Sequence, residues 1–124
     1  MPVEMAEARR KQAEAAGRRA ETLAAWWLRL KGWRILATRV RTPMGEIDLV
    51  ARRGRIVAFV EVKHRATAKD LDFAIDHHRL RRVAAAAEAL MPRFVRAGDD
   101  ARIDVILLAP RRLPRHLHHV WQGD

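Results

Sequence analysis

The stretch Gly45-Glu46-Ile47-Asp48-Leu49-Val50-Ala51-Arg52-Arg53-Gly54-Arg55-Ile56-Val57-Ala58-Phe59-Val60-Glu61-Val62-Lys63 decides the fold. Ile47, Leu49 and Ala51 alternate with Glu46, Asp48 and Val50, and after a turn holding one glycine the run from Ile56 is apolar and β-branched. A period of two, a glycine-bearing turn and a second strand together mark an antiparallel hairpin. Successive side chains of a strand point to opposite faces, so Glu61 and Lys63, two apart, share one face. If Arg52 pairs with Arg55 across a two-residue turn, Glu46 lies opposite Glu61 and Asp48 sits one diagonal step away on that face. Carboxylates ~5 Å apart repel by roughly 3 kcal/mol at an effective dielectric near 20, so the patch calls for a cation. Oxygen donors without sulfur suit Mg²⁺ or Mn²⁺. Such an ion activates water against a phosphodiester, with Lys63 placed to orient or deprotonate that water. The plainer alternative is a set of strand charges paired across a hairpin, Glu61 with Lys63 or with an arginine. A turn one residue longer would slip the register and send one strand's acids to the other face.

Upstream, Trp33 to Val40 is apolar and β-branched, and Thr42-Pro43-Met44-Gly45 supplies turn chemistry, giving three consecutive antiparallel strands. Residues 5–30 are rich in Ala, Glu, Arg and Leu, with Ala20, Leu23, Ala24, Trp27 and Leu30 at helical spacing before Gly32. The first dozen residues have little to bury, so 1–16 read as a helical extension and 17–124 as one domain. Downstream, residues 64–75 lack a period and read as a loop. Asp76 then caps a helix with the stripe Leu80, Val83, Ala84, Ala87, Leu90 and Met91, ending at Pro92. Gly98-Asp99-Asp100 is a turn, Ile103 to Ala109 an interior strand, and Pro110 and Pro114 open an irregular tail. The order helix-strand-strand-strand-helix-strand predicts an α/β domain of three αβα layers with a mixed central sheet.

Charge points to the partner. The 124 residues carry 25 Lys and Arg against 15 Asp and Glu, a net +10 and a pI near 11.5, a surface that attracts polyanions. The first 42 residues contribute +6, residues 43–63 only +1 and the remainder +3, so the carboxylates cluster in the nearly neutral middle. With no cysteine, serine or tyrosine, thiolate, serine-hydrolase and tyrosine-nucleophile chemistry is excluded, as are disulfides and Cys-ligated metals. The N-terminus has no secretory pattern and no apolar run approaches the ~20 residues of a membrane span, so a cytoplasmic protein is expected.

The runs Gly45 to Ala51 and Phe59-Val60-Glu61-Val62-Lys63-His64-Arg65 closely resemble the YraN-type family of endonuclease-like proteins. The likeness extends to Gly17 and Glu21, Arg41, Arg81-Arg82 and Arg102-Ile103-Asp104-Val105. It implies the restriction-endonuclease-like fold, a kinship with Holliday-junction resolvases, and nuclease action on DNA, branched DNA among its substrates. It also places Asp48, Glu61 and Lys63 at the metal-binding and catalytic positions, with Glu21 as an added helical carboxylate; the hairpin pairing, not the resemblance, adds Glu46 as a metal ligand. Resolvase relatives act as dimers, which makes a homodimer the expectation by analogy. The chain departs from the pattern at His77, His78 and Arg79, where the family often has Pro, Arg and Lys, and Ile47-Asp48 stands where the wider superfamily has Pro-Asp.

Arg18, Arg39, Arg41, Arg65, Arg79, Arg81 and Arg82 form a candidate phosphate-contacting rim. Singly, each reads better as a solvated surface charge; it is their collective excess that points to phosphate. Trp27 and Trp33 fall where a core needs bulk, while Trp26 is the tryptophan placed for exposure. His116, His118 and His119 have metal-like spacing but lie in the proline-flanked tail, and Asp104 reads as partnered by an arginine or a backbone donor. Two further functions compete with the nuclease: a non-catalytic nucleic-acid-binding module that keeps the fold, and a protein–protein adaptor.

Overall fold

The computed structural model describes residues 2–67, 69 and 76–123; the expected loop at 64–75 lies largely outside them. Helix α1 (Val3–Leu30) is followed by β1 (Arg34–Thr42), β2 (Gly45–Arg53), β3 (Ile56–His64), α2 (His77–Phe94), β4 (Asp100–Leu108) and β5 (Arg115–Leu117). The strands form one sheet in the order β1-β2-β3-β4-β5. β1, β2 and β3 pair antiparallel, β3 and β4 parallel, and β4 and β5 antiparallel. The chain therefore has the expected mixed sheet between helices.

Each face of the sheet has its own core. Leu49, Ala51, Ala58, Val60, Val62 and Ile106 pack with Ala20, Ala24, Ala25 and Leu28 of α1. Ile47, Val57, Phe59, Ile103 and Val105 pack with Leu80, Val83, Ala86, Ala87 and Leu90 of α2. β3 is buried on both sides for seven residues, as suits a strand with helices above and below. α1 stops at Gly32 (φ 88°), which takes the left-handed turn that a Cβ disfavours, and Trp33 N–H donates back to Leu28 O at 2.9 Å. The first helical residues, up to Glu14, are exposed, and burial begins around Ala15 to Gly17.

Four expectations are corrected. The turn between β2 and β3 falls on Gly54 (φ 61°) and Arg55, pairing Arg53 with Ile56 and Leu49 with Val60, so the register is two residues from the one proposed. A shift of two preserves the face of every side chain. The second helix runs through Pro92 to Phe94, because the Phe94 ring packs edge-on against Phe59 with centroids 6.5 Å apart. Met91 is exposed and Ala86 takes the buried place. The tail, finally, is not irregular throughout: Arg115–Leu117 adds a strand to β4, with Val105 opposite Leu117.

Candidate functional site

β2 keeps pairing with β1 as far as Thr42↔Gly45, whereas its last pair with β3 is Leu49↔Val60. Beyond that pair the two strands are linked through a side chain: Val62 N–H donates to Asp48 Oδ2 at 2.8 Å. In the shifted register Asp48 comes level with Glu61, where the proposed pairing had put Glu46. The opening is a cavity of about 240 Å³ lined by Gly45, Glu46, Asp48, Glu61, Arg79, Arg82 and Val83. Asp76 caps α2 by accepting Arg79 N–H at 2.7 Å, which sets the basic first turn of that helix over the acids.

Charge in this cavity is unevenly balanced. Glu61 is buried, and its Oε1 receives Lys63 Nζ at 3.1 Å and both Nε and Nη2 of Arg79 at 2.9 Å. Asp48 has only the Val62 amide among these donors. Burial first, then the Glu61 charge, pushes the Asp48 carboxyl up from 3.8 to about 7; the Val62 N–H opposes this, while Glu21 and Glu46 add to it.

The remaining predicted site residues are dispersed. Glu46 lines the same cavity and accepts from Arg41 Nε at 3.3 Å, an exposed pair. Glu21 does not line it; its Oε1 meets Arg39 Nε at 2.5 Å in a neighbouring hollow that also holds Arg18. Arg39 occupies a left-handed conformation (φ 51°), unusual for a residue with a Cβ. Arg79 and Arg82 line the acid-bearing cavity, Arg81 is exposed on the same helix, and Arg65 lies just past β3 on the side of α1.

A second constellation was misread in the sequence. β5 holds His116 against Asp104, with His118 just past the strand and exposed; Asp104 is fully buried among the α1-side residues of β4 and so faces away from Glu61. Asp104 receives His116 Nε2 at 2.7 Å, the His119 amide at 2.9 Å, and Arg102 Nε and Nη2 at 3.0 and 3.2 Å. Burial would raise this carboxyl, but His116, the His119 N–H and Arg102 outweigh it and hold the carboxyl below its usual range. Asp104 is therefore partnered as expected. Among the described residues, the donor atoms of Asp104, His116 and His118 lie within 4.8 Å of one another, a set that could hold a metal ion. Arg102 Nη2, 2.7 Å from His118 Nδ1, already places a positive charge there. Signals for this cluster existed in Arg102-x-Asp104 and His116-x-His118, each spaced to share a strand face, but no local rule announces a three-residue strand directly after Pro114.

The model of the uncharacterised protein family UPF0102 matches residues 20–108. A UPF0102 protein of Sphingopyxis alaskensis is 74% identical over 113 residues, 91% of this chain and 97% of that protein. One from Erythrobacter litoralis is 61% identical over 114 residues, 92% of this chain and 98% of its own length. Among solved structures, Archaeoglobus fulgidus Hjc, a Holliday junction resolvase from an archaeal hyperthermophile, aligns with TM-score 0.57 and 21% identity over 81% of this chain and 73% of that one. At that identity the likeness is one of fold. Among the described residues no helix is long and apolar enough to cross a membrane.

Proposed function

The chain belongs to the uncharacterised protein family UPF0102, and from its resolvase-like fold and acid-bearing cavity we propose a divalent-metal-dependent nuclease that hydrolyses phosphodiesters in DNA, branched DNA in particular. The observation that carries this reading is the placement of Asp48: a half-buried carboxyl level with Glu61, raised to about 7 by burial and then by the Glu61 charge, in a cavity with arginines on one wall. Mg²⁺ or Mn²⁺ fits such a place, since its donors are carboxylate oxygens and a cation there would favour the ionised form of Asp48 beside Glu61. Asp48 and Glu61 would hold the ion, with Glu46 at the rim. When bound, the ion lowers the pKa of water and stabilises charge on phosphoryl oxygens.

The protein's own groups supply the rest. Arg79 and Arg82 receive the non-bridging oxygens of the scissile phosphate, fixing it at the cavity mouth. Lys63, anchored on Glu61, orients the attacking water and faces the charge that grows on phosphorus. As water oxygen bonds to phosphorus, one ester P–O bond breaks, leaving a phosphate monoester on one strand end and a hydroxyl on the other. Arg18, Arg41 and Arg81 line the path of the flanking backbone, Arg65 lies off it on the side of α1, and the +10 charge draws DNA to the protein. A homodimer would bring two such sites to a branched substrate.

One observation favours a second reading, a nucleic-acid-binding module without catalysis: Lys63 and Arg79 already neutralise Glu61 Oε1. Purified protein incubated with four-way-junction, duplex and single-stranded DNA in Mg²⁺ or Mn²⁺ separates the two. Cleavage lost in Asp48→Asn and Lys63→Ala supports the nuclease. Salt-sensitive binding without cleavage, indifferent to metal and to both substitutions, supports the module.

A further inference from the structure

On the opposite face of the sheet from the acids, a cavity of about 540 Å³ opens between α1 and the segment after β4. One wall is a helical stripe in which Leu23, Trp26 and Leu30 recur three or four apart. The other is Leu113, set between Pro110 and Pro114. These side chains are 61%, 59%, 78% and 78% exposed, a concentration of large apolar groups that a protein in water does not ordinarily leave uncovered. Arg19, Arg65 and Arg112 line the cavity, and among the described residues no Asp or Glu does.

We propose that this groove docks a protein segment that presents bulky apolar side chains flanked by carboxylates. Charge complementarity selects that occupant. A second copy meeting it groove to groove would set the same three arginines against their equivalents, with no acid among the described lining residues to receive them. Nucleic-acid bases stack on aromatic faces, but Arg29 covers one face of Trp26 at 4.9 Å and Lys31 one face of Trp27 at 4.7 Å, and Leu23, Leu30 and Leu113, which make up most of the groove's exposed apolar surface, offer bases nothing to stack on. An acidic, apolar segment satisfies both halves of the groove, its large side chains meeting Leu23, Trp26 and Leu113 and its carboxylates the arginines, in the manner of an amphipathic helix laid in a groove. The groove begins at His64 and Arg65, immediately after Lys63 ends the acid-bearing face of β3. A docked partner would thus sit behind the nuclease-type cavity without covering it.

The test uses the full chain and a fluorescein-labelled amphipathic dodecapeptide of leucine, phenylalanine and glutamate, beside the same peptide with lysine for glutamate. Fluorescence anisotropy should show saturable binding of the acidic peptide only. Binding should weaken about tenfold in Leu113→Asp and in the double variant Arg19→Glu/Arg112→Glu, as for loss of an interface anchor. Both sites are exposed, so the fold is retained, which circular dichroism checks. Equal binding of the lysine peptide, no binding of the acidic one, or retention of full affinity in both variants overturns the proposal. So does self-association in sedimentation that Leu113→Asp abolishes, which would assign the groove to a second copy. Loss of oligothymidylate or anionic-vesicle binding in Leu113→Asp, without peptide binding, would assign it to nucleic acid or lipid. None of these outcomes bears on cleavage, which Asp48→Asn tests separately.

Discussion

Replacing Asp48 with Asn should stabilise the protein at pH 8 and leave it nearly unchanged at pH 4. A carboxyl whose folded pKa is raised binds its proton more tightly in the native state than in the unfolded chain. Its favourable contribution is complete below the unfolded value of 3.8, and it is lost as pH rises through the folded value of about 7. The difference of about three units, at 1.36 kcal/mol each, sets a ceiling on the order of 4 kcal/mol. Side-chain relaxation and water entry lower such figures in real interiors, so roughly 2 kcal/mol is the working expectation. That corresponds to a Tm shift of about 6–8 °C for a domain of this size. The asparagine amide oxygen can still accept the Val62 N–H now bonded to Asp48 at 2.8 Å, so the substitution removes charge without orphaning a buried donor. Differential scanning calorimetry of both proteins from pH 4 to 8 reads the effect. Addition of Mg²⁺ at pH 8 should raise the wild-type Tm and not that of the variant, by about 1.4 kcal/mol at ten times the dissociation constant. Parallel pH profiles for the two proteins, or a variant less stable at pH 8, would refute the reasoning.

Other expectations follow from the same geometry. Lys63→Ala should reduce DNA cleavage by about a hundredfold or more while duplex binding, measured by anisotropy, changes little. Asp104→Ala removes the acceptor of Arg102, His116 and the His119 amide, so urea denaturation should report a loss of about 3 kcal/mol and released β5 amides should exchange faster. Asp99 is held down to about 2, chiefly by Arg52, so its stabilising contribution is present above 3.8 and lost as pH falls through 2; acid unfolding of Asp99→Asn should lack that step. If six phosphates are engaged, DNA affinity should fall with roughly the fifth power of salt concentration, and Arg82→Ala should lower that slope by about one.

The architecture was legible wherever a local rule and a long-range one agreed. The alternation of Leu49 and Ala51 with Val50, the glycine after Arg53 and the doubly buried run of β3 each describe a strand whose neighbours follow from the order of elements, whereas Ile47 breaks the expected alternation by packing on the α2 side. The register was read two residues out because Arg52-Arg53-Gly54-Arg55 has one glycine, which can occupy either central position of a tight turn; here it takes the first, with φ 61°. Parity survived, so Asp48 and Glu61 share a face as expected, and the true register brings them closer. The end of α2 was misjudged because Pro92 is a local stop signal that the Phe94–Phe59 contact overrides. The Glu21–Arg39 pair, and the packing of His116 and His118 on Asp104, rest on contacts between distant segments that spacing alone does not encode. Arg79 was read from the sequence as a candidate phosphate contact, and its bond to Glu61 is visible only once α2 is laid over the sheet.

The central claim is that Asp48 and Glu61 together grip a divalent cation. Anomalous diffraction from crystals soaked in Mn²⁺ near pH 8 measures this directly. A manganese peak within coordinating reach of both carboxylates is the predicted result. A peak confined to Asp104, His116 and His118, or none on the protein, would contradict it.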